Sequence, residues 1–121
     1  PTHVGGLRYH GMAPMLSHLV HHGHVEPRAY NQKECLEVGI KFARTEGIMP
    51  APEATHAIKG AVDEALKCKV EGNSKTILFN LCGHGHFDMQ AYMDYFSGKL
   101  ADDSFDTKAF EESMAAIPAV N

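Results

Sequence analysis

No apolar stretch in the 121 residues approaches the ~20 that a membrane-spanning helix needs, and no signal peptide is visible, so nothing here is expected to span a membrane. Positive charge is in deficit. Eleven Lys and Arg against 15 Asp and Glu leave a formal net charge of -4, which removes the electrostatic case for binding nucleic acid. Cysteine is scarce: Cys35, Cys68 and Cys82 are scattered, odd in number and without a C-x-x-C pair. Free thiols in a reducing cytosol are the simplest account, and a cytoplasmic location is expected. Internal repeats and low-complexity segments are absent as well. What remains, at 44% hydrophobic and 21% charged residues, has the composition of an ordinary soluble globular protein of one domain, long enough for a real core. The chain opens with Pro1, which suits either a processed terminus or a piece of something longer.

The stretch Thr76-Ile77-Leu78-Phe79-Asn80-Leu81-Cys82-Gly83-His84-Gly85-His86-Phe87-Asp88 reads as a buried strand, a glycine-spaced loop and the start of a helix. The near-continuous apolar run over 76–81 suits a strand covered on both faces, as in a parallel sheet. Gly83 and Gly85 free the backbone for turns and for close approach to another group. Asp88 is placed as N-cap of a helix over 89–97, with Gly98 closing it. In open α/β sheets ligands sit beyond the carboxyl ends of strands, where this loop would lie. The same pattern also serves as a plain strand–helix connection with no ligand.

Elsewhere the period is helical. Pro14 suits the first turn of a short helix over 15–22, ended by Gly23, and residues 24–26 form a weak strand or a connector. Asn31 and Glu34 have capping-box spacing ahead of a helix over 32–46, closed by Gly47. Met49-Pro50-Ala51-Pro52 forms a rigid extended link, since a residue before proline is pushed out of the α region. Pro52 then opens a helix over 52–69 with Ala54, Ala57, Ile58, Ala61 and Val62 on its apolar face, and Gly72-Asn73 turns the chain into the strand. Residues 99–121 form a tail with an amphipathic helix near 106–116.

Three segments in fixed order carry a resemblance: Gly5-Gly6-Leu7-Arg8-Tyr9-His10-Gly11, then Arg44-Thr45-Glu46-Gly47-Ile48-Met49-Pro50-Ala51-Pro52-Glu53-Ala54-Thr55-His56-Ala57, then Asn80 to Asp88 as quoted above. Together they resemble the carboxy-terminal part of the tryptophan synthase β chain family. The Gly-His-Gly-His-Phe-Asp string and Gly-Leu-Arg-Tyr-His-Gly are similar to the second, stand-alone-type class, whereas the common class typically has Ser-Gly-Arg-Gly-Asp in the last loop. The similarity runs over about residues 4–100.

The resemblance implies an α/β fold, with helices packed on a small, mostly parallel sheet, as part of a fold-type-II pyridoxal-phosphate (PLP) enzyme that condenses indole with serine. It implies roles for particular residues. Cys82 falls where the family usually has a serine whose hydroxyl meets the pyridine nitrogen; a thiol is a weaker donor but is also neutral. Gly83 adjoins it, and Gly5 and Gly6 match backbone that runs beside the cofactor ring, although plain turn chemistry accounts for those two equally. Glu53 falls on the family's active-site glutamate. Taken without the family it is an acid in a helix's first turn, where the dipole favours negative charge by a few tenths of a kcal/mol. Arg8 stands where the common class has an aspartate that closes over bound serine, and His84 and His86 are candidates for the loop that closes over the cofactor.

The absence that weighs most is a lysine. A PLP enzyme of this kind needs a Schiff-base lysine and a glycine-rich phosphate loop, and both belong to the amino-terminal part of the family. Lys33, Lys41, Lys59, Lys67, Lys69, Lys75, Lys99 and Lys108 fall on helix faces, near termini or in polar turns, where solvated charge is expected. The chain is therefore expected to hold one wall of a cofactor site, to hold no PLP alone, and to be inactive alone. A truncated, non-enzymatic module is the alternative. Either way a lone strand leaves backbone groups unpaired, so self-association as a homo-oligomer, or a complementary amino-terminal β-like chain, is expected. Nine histidines stand out, with His18 and His22 at i, i+4 and His84 two residues from His86. No cysteine or carboxylate completes either group at a recognised spacing, so no metal is expected. His56, one turn after Glu53, is expected to orient or pack.

Overall fold

In the computed structural model, residues 11–102 and 107–116 are described. Proline opens two of the helices, and a left-handed glycine closes two. Pro14 starts α1 (Pro14–His21), Asn31 caps α2 (Gln32–Glu46), and Pro52 starts α3 (Pro52–Glu71). They are followed by α4 (Met89–Phe96) and α5 (Thr107–Ala115). At the head of α2 the Asn31 backbone N–H donates to Glu34 Oε1 at 2.7 Å, the reciprocal arm expected of a capping box. At its foot Gly47 takes φ 72°, a left-handed conformation that crowds any Cβ, and Gly72 does the same after α3 at φ 67°. Asp88, expected as a side-chain cap, precedes α4 with φ -115° and ψ 20° and makes no capping bond.

Helices α2 and α3 lie side by side because both present small residues at the seam. A Cβ on Gly39 would stand 2.5 Å from Thr55 Cγ2, so only glycine lets the axes come this near. Cys35, Leu36, Ala54, Thr55 and Ile58 are buried around that contact. Helix α4 closes one end: Tyr92 and Leu36 are 1% exposed and cluster with Leu100, against Ile40, Met49 and Tyr95. Each such large side chain removed from water contributes about 1.5–3 kcal/mol. The chain after α4 is tied back to α2, with Gln32 Nε2 donating to the Ala101 carbonyl at 2.6 Å and the Lys33 N–H to Asp102 Oδ1 at 3.1 Å. That carboxylate also sits at the positive end of the α2 dipole.

The expected sheet is not seen among the described residues. Among the described residues there is no strand, and the only β pairing is an isolated antiparallel bridge between Pro50 and His84. Residues 76–81 have no regular secondary structure, and 24–26 pass through a bend into irregular chain. The reason is that a strand is a property of a pair: without a neighbouring strand, the backbone N–H and C=O groups of 76–81 have nothing to form a ladder with. The side chains still alternate. Ile77 and Phe79 are half-buried, with the Phe79 ring edge-on to Phe42 at 6.0 Å, while Leu78 is 92% exposed. No described helix is long and apolar enough to cross a membrane.

Candidate functional site

The Pro50–His84 bridge joins the link before α3 to the loop before α4. Pro50 has no N–H to give, so the bonds come from its neighbours: the Ala51 N–H donates to the Gly83 carbonyl at 2.9 Å and the Gly85 N–H to the Met49 carbonyl at 2.8 Å. The approach is backbone on backbone. A Cβ on Gly85 would overlap the Pro50 carbonyl oxygen, and one on Gly83 would lie 3.2 Å from Ala51 Cβ. The close approach read from these glycines is thus made, and what Gly85 approaches is the chain's own proline link. Tyr92 secures it from α4, its hydroxyl donating to the Pro50 carbonyl at 2.5 Å. Burial, and secondarily the Asp88 carboxylate, push the Tyr92 phenol up to about 12.

This bridge sets where the expected site residues lie. Glu53 is half-buried in the first turn of α3, three residues beyond Pro50. Cys82 is exposed and Gly83 half-buried at the entry to the loop; His84 and His86 are exposed, with ring centroids 5.0 Å apart. The His86 backbone N–H donates to His84 Nδ1 at 3.3 Å, which holds that imidazole over its own loop. His56 Nδ1 lies 3.1 Å from the Pro52 carbonyl, a contact within its own helix that fits an orienting role. One bridge therefore collects Glu53, Cys82, Gly83, His84 and His86 from two segments. Gly5, Gly6 and Arg8, and the residues of the tail at 103–106 and 117–121, lie outside the described residues. No group of three or more His, Cys, Asp or Glu that could hold a metal ion occurs among the described residues.

The lysines point elsewhere. Lys59 Nζ sits 2.6 Å from Asp63 and 3.7 Å from Glu34, over the Tyr30 ring at 4.9 Å, and the Asp63 hydrogen bond raises its pKa. The other seven are exposed. A groove of about 470 Å³ runs beside residues 77–80, lined by Glu26, Arg28, Gly60, Glu64, Leu78 and Asn80. Its acids are committed: Glu64 takes Lys75 Nζ at 2.6 Å and Arg28 at 3.4 Å, and Glu26 takes Arg28 Nε at 3.1 Å. Sequence reading missed Tyr92, and it placed Gly39 on the packing stripe of α2 without naming what it meets. The signal for Gly39 was present, a glycine on the apolar stripe of a capped helix, but its partner Thr55 is on another helix.

No family model matches the chain. Comparison with curated proteins does find relatives. It is 59% identical over 102 residues to "Tryptophan synthase beta chain 2" of Thermococcus kodakarensis, covering 84% of this chain and 23% of that one. It is 58% identical over 102 residues to the protein of the same name from Aquifex aeolicus, covering 84% and 24%. Against "Tryptophan synthase beta chain" of Pyrococcus horikoshii the identity is 50% over 118 residues, covering 98% of this chain and 25% of that protein. The chain thus spans about a quarter of the length of the curated relatives it matches.

Proposed function

We propose that this chain, which matches the carboxy-terminal part of tryptophan synthase β chains over most of its own length, forms one wall of a pyridoxal-phosphate site in a lyase that makes L-tryptophan from indole and L-serine. The observation that carries this reading is the Pro50–His84 bridge, which brings the Glu53 and Cys82 segments to one place. The donor set fits the rim of such a cofactor: an exposed thiol at Cys82, a half-buried backbone without a Cβ at Gly83 and a half-buried carboxylate at Glu53. It does not fit the anchor, since Lys59 is held by Asp63 and Glu34 and the other lysines are exposed.

When bound, PLP supplies an electron sink for the reacting carbon. In this chain Cys82 would face the cofactor's nitrogen as a weak donor, Gly83 would leave room beside it, and Glu53 would hold or return a proton near the reacting centre. His84 and His86 cover the loop side, and Gly5, Gly6 and Arg8 complete the wall. The chain is not catalytic alone. A complementary amino-terminal β-like chain supplies the lysine, the phosphate loop and the strands that pair with 76–81 in a mostly parallel sheet; a second copy of this chain pairs with that edge alone, as a homo-oligomer without the cofactor anchor. The bare Leu78 face and the groove beside it support such a partner. The three free thiols fit a cytoplasmic location. The distribution of the lysines also favours a second reading, a truncated β-like module that folds with itself and catalyses nothing.

Titration with PLP, alone and with an amino-terminal β-like fragment, tests both. The expected result is a cofactor absorbance band only in the mixture. Borohydride reduction then fixes the added mass on the fragment. Mass on any lysine of this chain would overturn the proposal, and a mixture that binds no PLP would leave the module reading standing.

A further inference from the structure

Helix α1 carries an unusual load of imidazole for its length. His18, His21 and His22 lie at its carboxyl end with His24 just beyond, and all four are exposed. His18 and His22 fall on one face, a turn apart, with ring centroids 4.2 Å apart and planes tilted by 59°. The His21 ring lies farther from His22, at 5.2 Å and edge-on. No hydrogen bond occupies a ring nitrogen of His18 or His22 among the described residues, so both rings keep their lone pairs available.

Ring nitrogens are borderline donors that suit zinc, copper and nickel, each held at about 2.0–2.1 Å for zinc. Helix α1 contains no carboxylate to attract a hard cation such as magnesium or calcium. The carbonyls of its last turn form the negative pole of the helix and favour a cation there. No cysteine or carboxylate completes a closed site of three or four protein ligands at a recognised spacing, but two imidazoles a turn apart on one face make an open one. We propose that His18 and His22 form a two-nitrogen chelate for a borderline divalent transition-metal ion, with water in the remaining positions, and that the ion clamps the last turn of α1. The clamp has something to do, because α1 is 8 residues long with none buried, and helices this short are marginal when packing does not hold them. This inference is independent of the tryptophan synthase reading.

The test uses the full chain without an affinity tag, stripped of metal by a chelator and titrated with zinc chloride. One ion per chain is expected, with slower amide exchange over 18–22 on binding. His18→Ala and His22→Ala should each weaken binding by about tenfold or more, since each removes one of two ligands. Alanine favours the helix, so loss of α1 does not explain that result. His24→Gln is expected to keep the affinity of the unaltered chain. Equal affinity in both alanine variants, one ion per two chains, or exchange over 18–22 indifferent to zinc would each overturn the proposal.

Discussion

The Tyr92 hydroxyl donates to the carbonyl of Pro50, 42 residues earlier in the chain, and the tyrosine is 1% exposed. A single buried bond thereby holds α4 against the link that opens α3, at the point where Gly85 presses on the same proline. Removing the hydroxyl leaves the ring in place and strands a buried acceptor. Tyr92→Phe is expected to lower stability by about 1–3 kcal/mol, read from urea midpoints, and to speed amide exchange at Gly85 and Ala51. An unchanged midpoint would show the bond to be dispensable.

The same phenol sets an alkaline limit. Its pKa rises from the ordinary 10.0 to about 12 in the folded chain, so folding favours the protonated form. The stability tied to that proton is complete below pH 10 and is lost as pH climbs through about 12. Melting temperature measured over this window should fall more steeply in the unaltered chain than in Tyr92→Phe. Parallel slopes would contradict the assignment.

At Gly39 two effects oppose each other. Alanine in a helix interior gains about 1 kcal/mol over glycine. The new Cβ would stand 2.5 Å from the methyl of fully buried Thr55, and overpacking of this kind costs about 1–3 kcal/mol. The clash is expected to win, so Gly39→Ala destabilises. Adding Thr55→Ser removes that methyl and should restore most of the loss. Gly60→Ala, inside α3 with only ordinary contact to the Tyr30 hydroxyl at 3.7 Å, serves as the control.

The three thiols should separate by reactivity. Cys82 is exposed, Cys68 is buried, and burial pushes the Cys35 thiol up to about 12. Iodoacetamide at neutral pH is expected to add one label, at Cys82, with Cys35 and Cys68 reacting only in denaturant. Peptide mass mapping that finds native labelling at Cys35 would refute the burial described for it.

What was legible in the sequence was local. The bounds of α2 were read correctly because Asn31, Glu34 and Gly47 act within a turn of the ends they define. Pro52 and Gly72 framed α3 in the same way, leaving only its last two residues, Val70 and Glu71, beyond the expected range. What failed depended on distant partners. Residues 76–81 have strand composition, but pairing needs a second strand that the described residues do not provide. Asp88 has capping chemistry, yet its backbone angles make no capping bond. Within the site, the glycines announced a close approach without saying to what. The answer, Pro50, and the tyrosine that secures it come from chain far away in sequence.

Residues 76–81 hold no charge and no proline, and the side of Leu78 faces water almost entirely. Six residues of this composition, left unmated, are the kind of segment that stacks identical copies into cross-β fibrils. Kept concentrated and alone, the chain should show a lag and then growth in thioflavin fluorescence, and Leu78→Lys should lengthen that lag. A strand laid against this segment would complete its ladder and protect solubility at the same time.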